Sequence, residues 1–154
     1  VRIAITNAGT DDLEQILALQ KLAYESEARL YNDWNIAPLT QSLSELQDEF
    51  AATTMLKAVM RGKLLGSVRA REEGDTCHIG RLIVHPEWQG QGIGSTLLRH
   101  VEQRFPHVEC FTLFTGYQSK RNIHFYERLG YRRHRQQGIL VWMHKANTVV
   151  NCCS

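Results

Sequence analysis

Leu82-Ile83-Val84-His85-Pro86-Glu87-Trp88-Gln89-Gly90-Gln91-Gly92-Ile93-Gly94-Ser95-Thr96-Leu97-Leu98-Arg99-His100 reads as strand, turn, glycine loop and helix. Leu82, Ile83 and Val84 form a short apolar run that suits a strand, and Pro86 ends it because it has no N–H to give to a ladder. Gly90, Gly92 and Gly94 alternate along the loop, so the backbone bends freely and no side chain bars close approach of a ligand. From Ser95 the pattern is helical, with Leu97, Leu98 and Val101 on one apolar stripe. A glycine turn running into a helix start leaves N–H groups unpaired at the positive end of the helix dipole, which favours an anion, phosphate first. Three glycines before a helix also make an ordinary tight turn, and these residues alone leave that alternative open.

Spacing excludes two other phosphate loops. The ATP-type loop requires Gly, four residues, then Gly-Lys-Ser/Thr, and no such lysine follows here. The dinucleotide fingerprint is Gly-x-Gly-x-x-Gly, whereas this loop is Gly-x-Gly-x-Gly. What is present is Gln89-x-x-Gly92-x-Gly94 after an apolar strand and His85-Pro86. This resembles the pyrophosphate loop of the GNAT superfamily, the acyl-CoA-dependent N-acyltransferases. A second segment, Asn122-Ile123-His124-Phe125-Tyr126-Glu127-Arg128-Leu129-Gly130-Tyr131, is similar to that superfamily's Asn…Tyr-Glu-x-x-Gly-Phe/Tyr pattern. The two motifs follow in the right order. The resemblance is close from Thr76 to Tyr131 and loose before it.

The totals fit that size of protein. At 154 residues the chain is expected to be one domain with a real core, residues 1–146, followed by a C-terminal tail at 147–154. Hydrophobic content of 43% and charged content of 22% are those of a soluble globular protein. A net charge of +2 is too small to argue for a nucleic-acid partner. No apolar run approaches the ~18 residues of a membrane span. Val1 to Ile5 shows no basic start followed by a long apolar region, so no signal peptide is expected. None of the four cysteines forms a Cys-x-x-Cys pair or a zinc-spaced cluster, and no metal is expected. Cys77 and Cys110 read as small core residues. Cys152-Cys153-Ser154 resembles a prenylation ending without the basic run that accompanies one, and a frayed tail is the expectation. Reduced thiols without an export signal point to the cytoplasm.

Along the chain, Arg2 to Thr6 reads as a first strand. Asp11 caps a helix reaching about Leu30, and Tyr31 to Pro38 is a loop. Thr40 or Ser42 opens a second helix with Glu45 in its first turn. Strands at Thr54–Arg61, Leu64–Arg71 and Thr76–Val84 are joined through Gly62-Lys63 and Gly74-Asp75. Val108–Thr115 is a further strand, Ser119 caps a helix ended by Gly130, and Ile139–His144 is the last strand. This order is an α/β (mixed α+β) arrangement. It agrees with the GNAT fold that the motifs imply: a mixed, mostly antiparallel sheet of about six to seven strands, splayed between two parallel strands and flanked by about four helices.

The resemblance implies an acetyl-CoA-dependent N-acetyltransferase that transfers the acetyl group directly to a primary amine in a ternary complex. The acceptor would be a small molecule or a peptide, and the resemblance admits a homodimer. Leu82, Ile83 and Val84 would hold the pantetheine arm through main-chain atoms, with an N–H near Leu82 polarising the thioester carbonyl. Gln89, Gly90, Gln91, Gly92, Ile93, Gly94, Ser95 and Thr96 would hold the pyrophosphate. Asn122 would hydrogen-bond the cofactor arm, and Tyr126 would protonate the departing CoA thiolate. His78 is the candidate base, although four strand residues to Leu82 span about 13 Å and demand a water relay. Glu27, Tyr31 and Glu72 are weaker acceptor-side candidates, and Trp34 is a candidate pocket wall. The cluster Arg128, Arg132, Arg133 and Arg135 reads as a solvated face, or as a contact for a phosphate or an acidic acceptor. The alternative function is a non-catalytic acyl-CoA sensor or scaffold of the same fold.

Overall fold

The structure, a computed structural model, describes residues 2–148, and Cys152 and Cys153 lie outside them. Seven strands form one sheet in the order β1-β2-β3-β4-β5-β7-β6. They are β1 (Ala4–Asn7), β2 (Thr54–Met60), β3 (Lys63–Glu73), β4 (Thr76–Val84), β5 (Cys110–Gly116), β6 (Arg132–Gln137) and β7 (Leu140–Ala146). The helices are α1 (Leu13–Ala23), α2 (Glu25–Tyr31), α3 (Ala37–Thr40), α4 (Leu43–Ala52), α5 (Ile93–Arg104) and α6 (Lys120–Arg128). All neighbouring strands pair antiparallel except β4 and β5.

Alternation along the strands divides the core into two layers. Met55 of β2 packs with Leu13 and Ile16 of α1 and Leu46 of α4, whereas its neighbour Leu56 packs with Ile93, Leu97, Leu98 and Val101 of α5. Gly66 on β3 lies close against α5. A Cβ there would stand 2.9 Å from the Ile83 carbonyl oxygen and 3.0 Å from Leu97 Cδ1. Gly66→Ala is therefore expected to cost about 1–3 kcal/mol by overpacking, read as a lower denaturation midpoint with an unchanged m-value. An unchanged midpoint would mean that α5 yields freely.

Several local expectations shift in the structure. The first hairpin turns on Arg61 and Gly62, one residue earlier than the Gly62-Lys63 pair, and both have positive φ (52° and 77°) as a type I′ turn requires. Asp11 does not cap α1. A 3-10 turn at Thr10–Asp12 leads into the helix, with the Asp12 carboxylate accepting from Gly9 N at 2.7 Å and pairing Lys57 at 2.8 Å. The long first helix breaks at Tyr24 (φ −85°, ψ 0°), which re-aims α2. The 31–38 loop contains the start of α3. Ser42 caps α4 and forms a reciprocal capping box with Glu45, as its sequence spacing implies. Asn147, the first residue of the expected tail, is only 5% exposed and bonds the carbonyls of Phe105, Pro106 and Val108.

Three of the four arginines of the basic cluster lie on a strand, and Arg128 ends α6. Arg132–Gln137 pairs with β7 as an edge strand exposed along its whole length, bulged at His134. Its charge suits an edge, because like-charged side chains oppose pairing with another chain.

Candidate active site

The sheet is split. β5 pairs with Thr76, Cys77 and His78 of β4, and from Ile79 to Val84 the two parallel strands share no pairing among the described residues. A cavity of about 1090 Å³ occupies this wedge and runs from the α1–α2 junction to the glycine loop. It is as large as the largest common ligand sites, ~300–1,000 Å³.

A bulge shapes the β4 wall. Arg81 and Leu82 together oppose the single residue Val68 of β3, and Arg81 takes φ 49°. The extra residue reverses the phase of the strand. Leu82 and Val84 then pack against the α5 core layer, while Arg81 lies under the ring of Tyr24 at the α1–α2 junction.

At the other end, the glycine loop bends through positive φ at Gly90 (78°) and Gly92 (86°), and Gly92 is the N-cap of α5. The helix begins at Ile93, two residues before Ser95. The Gly92 carbonyl accepts from Thr96 N, from Ser95 Oγ at 3.1 Å and from Thr96 Oγ1 at 2.7 Å. Both hydroxyls thus serve the turn, and the first N–H groups of α5 remain without helical acceptors. A Cβ on Gly94 would stand 3.2 Å from Phe125 Cζ, so α6 closes directly over this turn.

Of the residues expected to hold a cofactor, Leu82, Ile83, Val84, Gln89, Gly90, Gly92, Ile93, Gly94, Ser95, Asn122 and Tyr126 line this one cavity. Gln91 and Thr96 fall outside the lining. Ile93 is only 1% exposed, and its side chain packs in the core beside Gly66.

The far wall is made by α6 and α2. Tyr126 turns its ring edge toward Phe125 (5.2 Å between centroids) and Tyr131 (6.1 Å). Burial pushes its phenol above the ordinary tyrosine range, and the neighbouring Tyr24 and Glu27 add to the shift. Glu27 accepts from Ser119 Oγ at 2.9 and 2.8 Å and from Asn122 Nδ2 at 3.1 Å. Asn122 also reaches Thr115 Oγ1 at 3.4 Å. The Asn122 amide nitrogen is therefore engaged by the protein, which leaves its carbonyl oxygen for a ligand. Ser119 occupies the N-cap position of α6 but gives its hydroxyl to Glu27 instead of capping the helix, a charge-assisted bond.

His78 is not brought to the site. It sits in the closed part of the sheet, between Arg71 and Thr112, with its Nε2 3.6 Å from Glu73. Burial lowers its pKa and Arg71 lowers it further, while Glu73 opposes them. Glu72 bonds His107 at 2.7 Å, away from the cavity. Tyr31 does line the cavity, its hydroxyl accepting from Gln118 N at 2.9 Å. Trp34 does not; it is 48% exposed beneath Arg29. Of the basic cluster only Arg128 lines the cavity.

Among the wall residues that had no part in the sequence motifs are Tyr24, at the helix break, and Arg81, on the bulge. Gly80 was the available signal, since a glycine inside a strand pattern marks a bulge. Burial pushes the Cys77 thiol up to about 12, so it stays protonated and is no nucleophile at neutral pH. Among the described residues, no group of three or more His, Cys, Asp or Glu could hold a metal ion, and no helix is long and apolar enough to cross a membrane.

The sequence profile of the acetyltransferase (GNAT) family matches residues 13–131. Among solved structures, the chain is similar to the PaiA N-acetyltransferase from Thermoplasma acidophilum in complex with coenzyme A. The TM-score is 0.84 at 19% identity, covering 95% of this chain and 99% of that one. It is also similar to the ribosomal-protein-S18-alanine N-acetyltransferase from Escherichia coli, with TM-score 0.77 at 17% identity, covering 95% and 94%. Among curated sequences, the uncharacterized protein YrkN of Bacillus subtilis is 30% identical over 87 residues, 54% of this chain and 47% of that protein. The uncharacterized N-acetyltransferase ycf52 of Gracilaria tenuistipitata var. liui is 26% identical over 102 residues, 64% and 54%. The chain spans about half the length of the curated relatives it matches.

Proposed function

The chain belongs to the acetyltransferase (GNAT) family, and from that premise we propose that it is an N-acetyltransferase that moves the acetyl group of acetyl-CoA to a primary amine by direct attack in a ternary complex. One observation carries this reading. The unpaired edge of β4, the glycine turn at the start of α5 and Tyr126 all line a single cavity. A sensor or scaffold would need the first two but not the third.

The thioester supplies the activated acetyl group, and the chain's own residues do the rest. Main-chain groups of Leu82 to Val84, unclaimed by β5, bind the pantetheine arm as an added strand would. The first N–H groups of α5, with the turn at Gly90 to Gly94, take the pyrophosphate. A main-chain N–H at the Leu82 bulge stabilises the oxyanion as the amine adds. Tyr126, kept neutral by burial, gives its proton to the leaving thiolate. No metal enters the scheme.

The amine must lose a proton, since an ammonium of pKa near ~10.4 is only about one part in a thousand neutral at pH 7.4. We assign that proton to Glu27 in place of His78, because Glu27 is the carboxylate on the cavity wall beside the two tyrosines. Replacing His78 by alanine is expected to leave kcat essentially unchanged, where loss of a general base costs about 10²–10⁴-fold. A fall of that size would return the role to His78.

The enzyme is read as cytoplasmic on its free Cys77 and Cys110. A homodimer through β6 would set Arg132, Arg133 and Arg135 against their own copies, so the short β1 edge is the better candidate.

The test is thermal melting with acetyl-CoA, CoA and ATP in separate excess. At 100 times its dissociation constant a ligand adds about 2.7 kcal/mol, roughly 5–10 °C for a domain of this size. A shift with both CoA forms and none with ATP supports the reading. No shift with any of them overturns it.

A further inference from the structure

Two arginines lie on the α1 side of the sheet, and they are treated differently. Arg69 of β3 is 3% exposed, and its terminal nitrogens meet Glu49 at 2.9 Å, Gln41, and, by a short bond, Gln20. It is part of the framework that seats α1 and α4. Arg81 of β4 lines the cavity instead. Its guanidinium carbon is 5.9 Å from the Tyr24 ring centroid, and it has no carboxylate within ion-pair distance among the described residues. Its Nε is buried without a hydrogen-bond partner. Arg69 Nε shares that last property, but its terminal nitrogens are fully engaged. Glu27, the carboxylate of the cavity wall, is already held by Ser119 and Asn122.

A guanidinium on the wall of a ligand cavity with no carboxylate paired to it selects an anion, and its planar fork fits a carboxylate bidentately. The left-handed backbone of Arg81 is a strained conformation for a residue other than glycine, of the kind that collects at ligand clamps. On the same cavity, Leu30, Ile36, Pro38, Phe114 and Ile139 offer apolar surface.

We propose that the acceptor is an amine that also carries a carboxylate on a largely apolar body, the carboxylate seated on Arg81 and the amino group directed to Glu27. This rests on the acetyltransferase reading above and names the substrate class of that site. Arg81 directly precedes Leu82, where the thioester carbonyl is held, so the carboxylate sits close to the reacting nitrogen. That geometry describes an amino acid with an apolar side chain. A polyamine has nothing to offer Arg81 and brings a second cation against it.

The test compares L-leucine, L-methionine and L-phenylalanine with their carboxamides as acceptors, following CoA release from acetyl-CoA. The parent protein and the variants Arg81→Gln and Arg81→Lys are measured side by side. The acid-to-amide ratio of kcat/KM is the readout, because its change on substitution cancels the different basicities of the paired amines. The ratio is expected to fall by about 10- to 100-fold in Arg81→Gln, mainly through KM for the acids, and to recover in part in Arg81→Lys. A ratio unchanged in both variants overturns the proposal, as does a parent that acetylates only the amides. The N-acetylated acids and amides are also added to protein saturated with CoA and followed by melting. A rise in Tm with the acids alone, absent in Arg81→Gln, supports the proposal even where turnover is slow; equal effects of acid and amide overturn it. Failure of the acetyltransferase reading looks different: no amine in any panel, charged or neutral, releases CoA.

Discussion

Tyr126→Phe is expected to lower kcat by about 10²–10⁴-fold while leaving acetyl-CoA affinity nearly unchanged. The substitution keeps the ring, and with it the contacts to Phe125 and Tyr131, and removes only the hydroxyl. That hydroxyl makes no hydrogen bond to the described residues, so its loss leaves no protein group unsatisfied and the fold is not at risk. The pH profile gives an independent check. Burial disfavours the phenolate, so Tyr126 remains a proton donor above the ordinary tyrosine value near ~10. In the parent protein, any loss of activity through Tyr126 ionisation is therefore expected to begin above that pH. Single-turnover kinetics and calorimetry with acetyl-CoA separate the two effects. Equal activity in the phenylalanine variant would remove Tyr126 as the acid.

Gly92→Val is expected to weaken acetyl-CoA binding by about 100-fold or more, because the turn depends on a backbone conformation that valine resists. Steric filling is not the reason, since a Cβ at this position meets only Ser95 Oγ at 3.9 Å. The reason is φ 86°, at the residue whose carbonyl collects three donors from Ser95 and Thr96. A β-branched residue forces this angle back and re-aims the N–H groups that follow. Gly92→Asn is the control, as asparagine tolerates the left-handed region; it is expected to retain most of the affinity. Titration calorimetry of all three proteins decides, and wild-type affinity in the valine variant would put the phosphate elsewhere.

Features encoded by neighbouring residues were legible in the sequence. The strand before Pro86, the apolar stripe of α5 and the Ser42–Glu45 box each depend on contacts within a few positions. β6 was not legible, because Arg-Arg-His-Arg-Gln-Gln buries nothing and so carries no alternation for a pattern to reveal. The break at Tyr24 is not legible for the opposite reason: apolar periodicity continues across it, and only packing re-aims α2. At the site, the motifs named Gly92 and Tyr126, which line one cavity. The acceptor side was hidden. Glu27 meets Ser119 from 92 positions away, and Arg81 reaches Tyr24 through a bulge that sequence marks only by Gly80. The residue type of His78 suits a base, while its register sets it in the closed seam of the sheet, which residue type alone does not reveal.

The split between β4 and β5 has a mechanical consequence. Since only three residue pairs stitch the two parallel strands, β1–β4 and β5–β7 behave as two plates sharing a short weld. Beyond the weld they are braced by polar struts from α2, Glu27 against Ser119 and Asn122 of α6 and the Tyr31 hydroxyl against Gln118 N. A molecule lying along the free edge of β4 and touching β5 would act as a second weld. Amide exchange in β5 and β7 should then slow when the wedge is filled, at sites far from any atom of the ligand. Catalysis and rigidity would share one part, and the protein would be mechanically complete only while loaded.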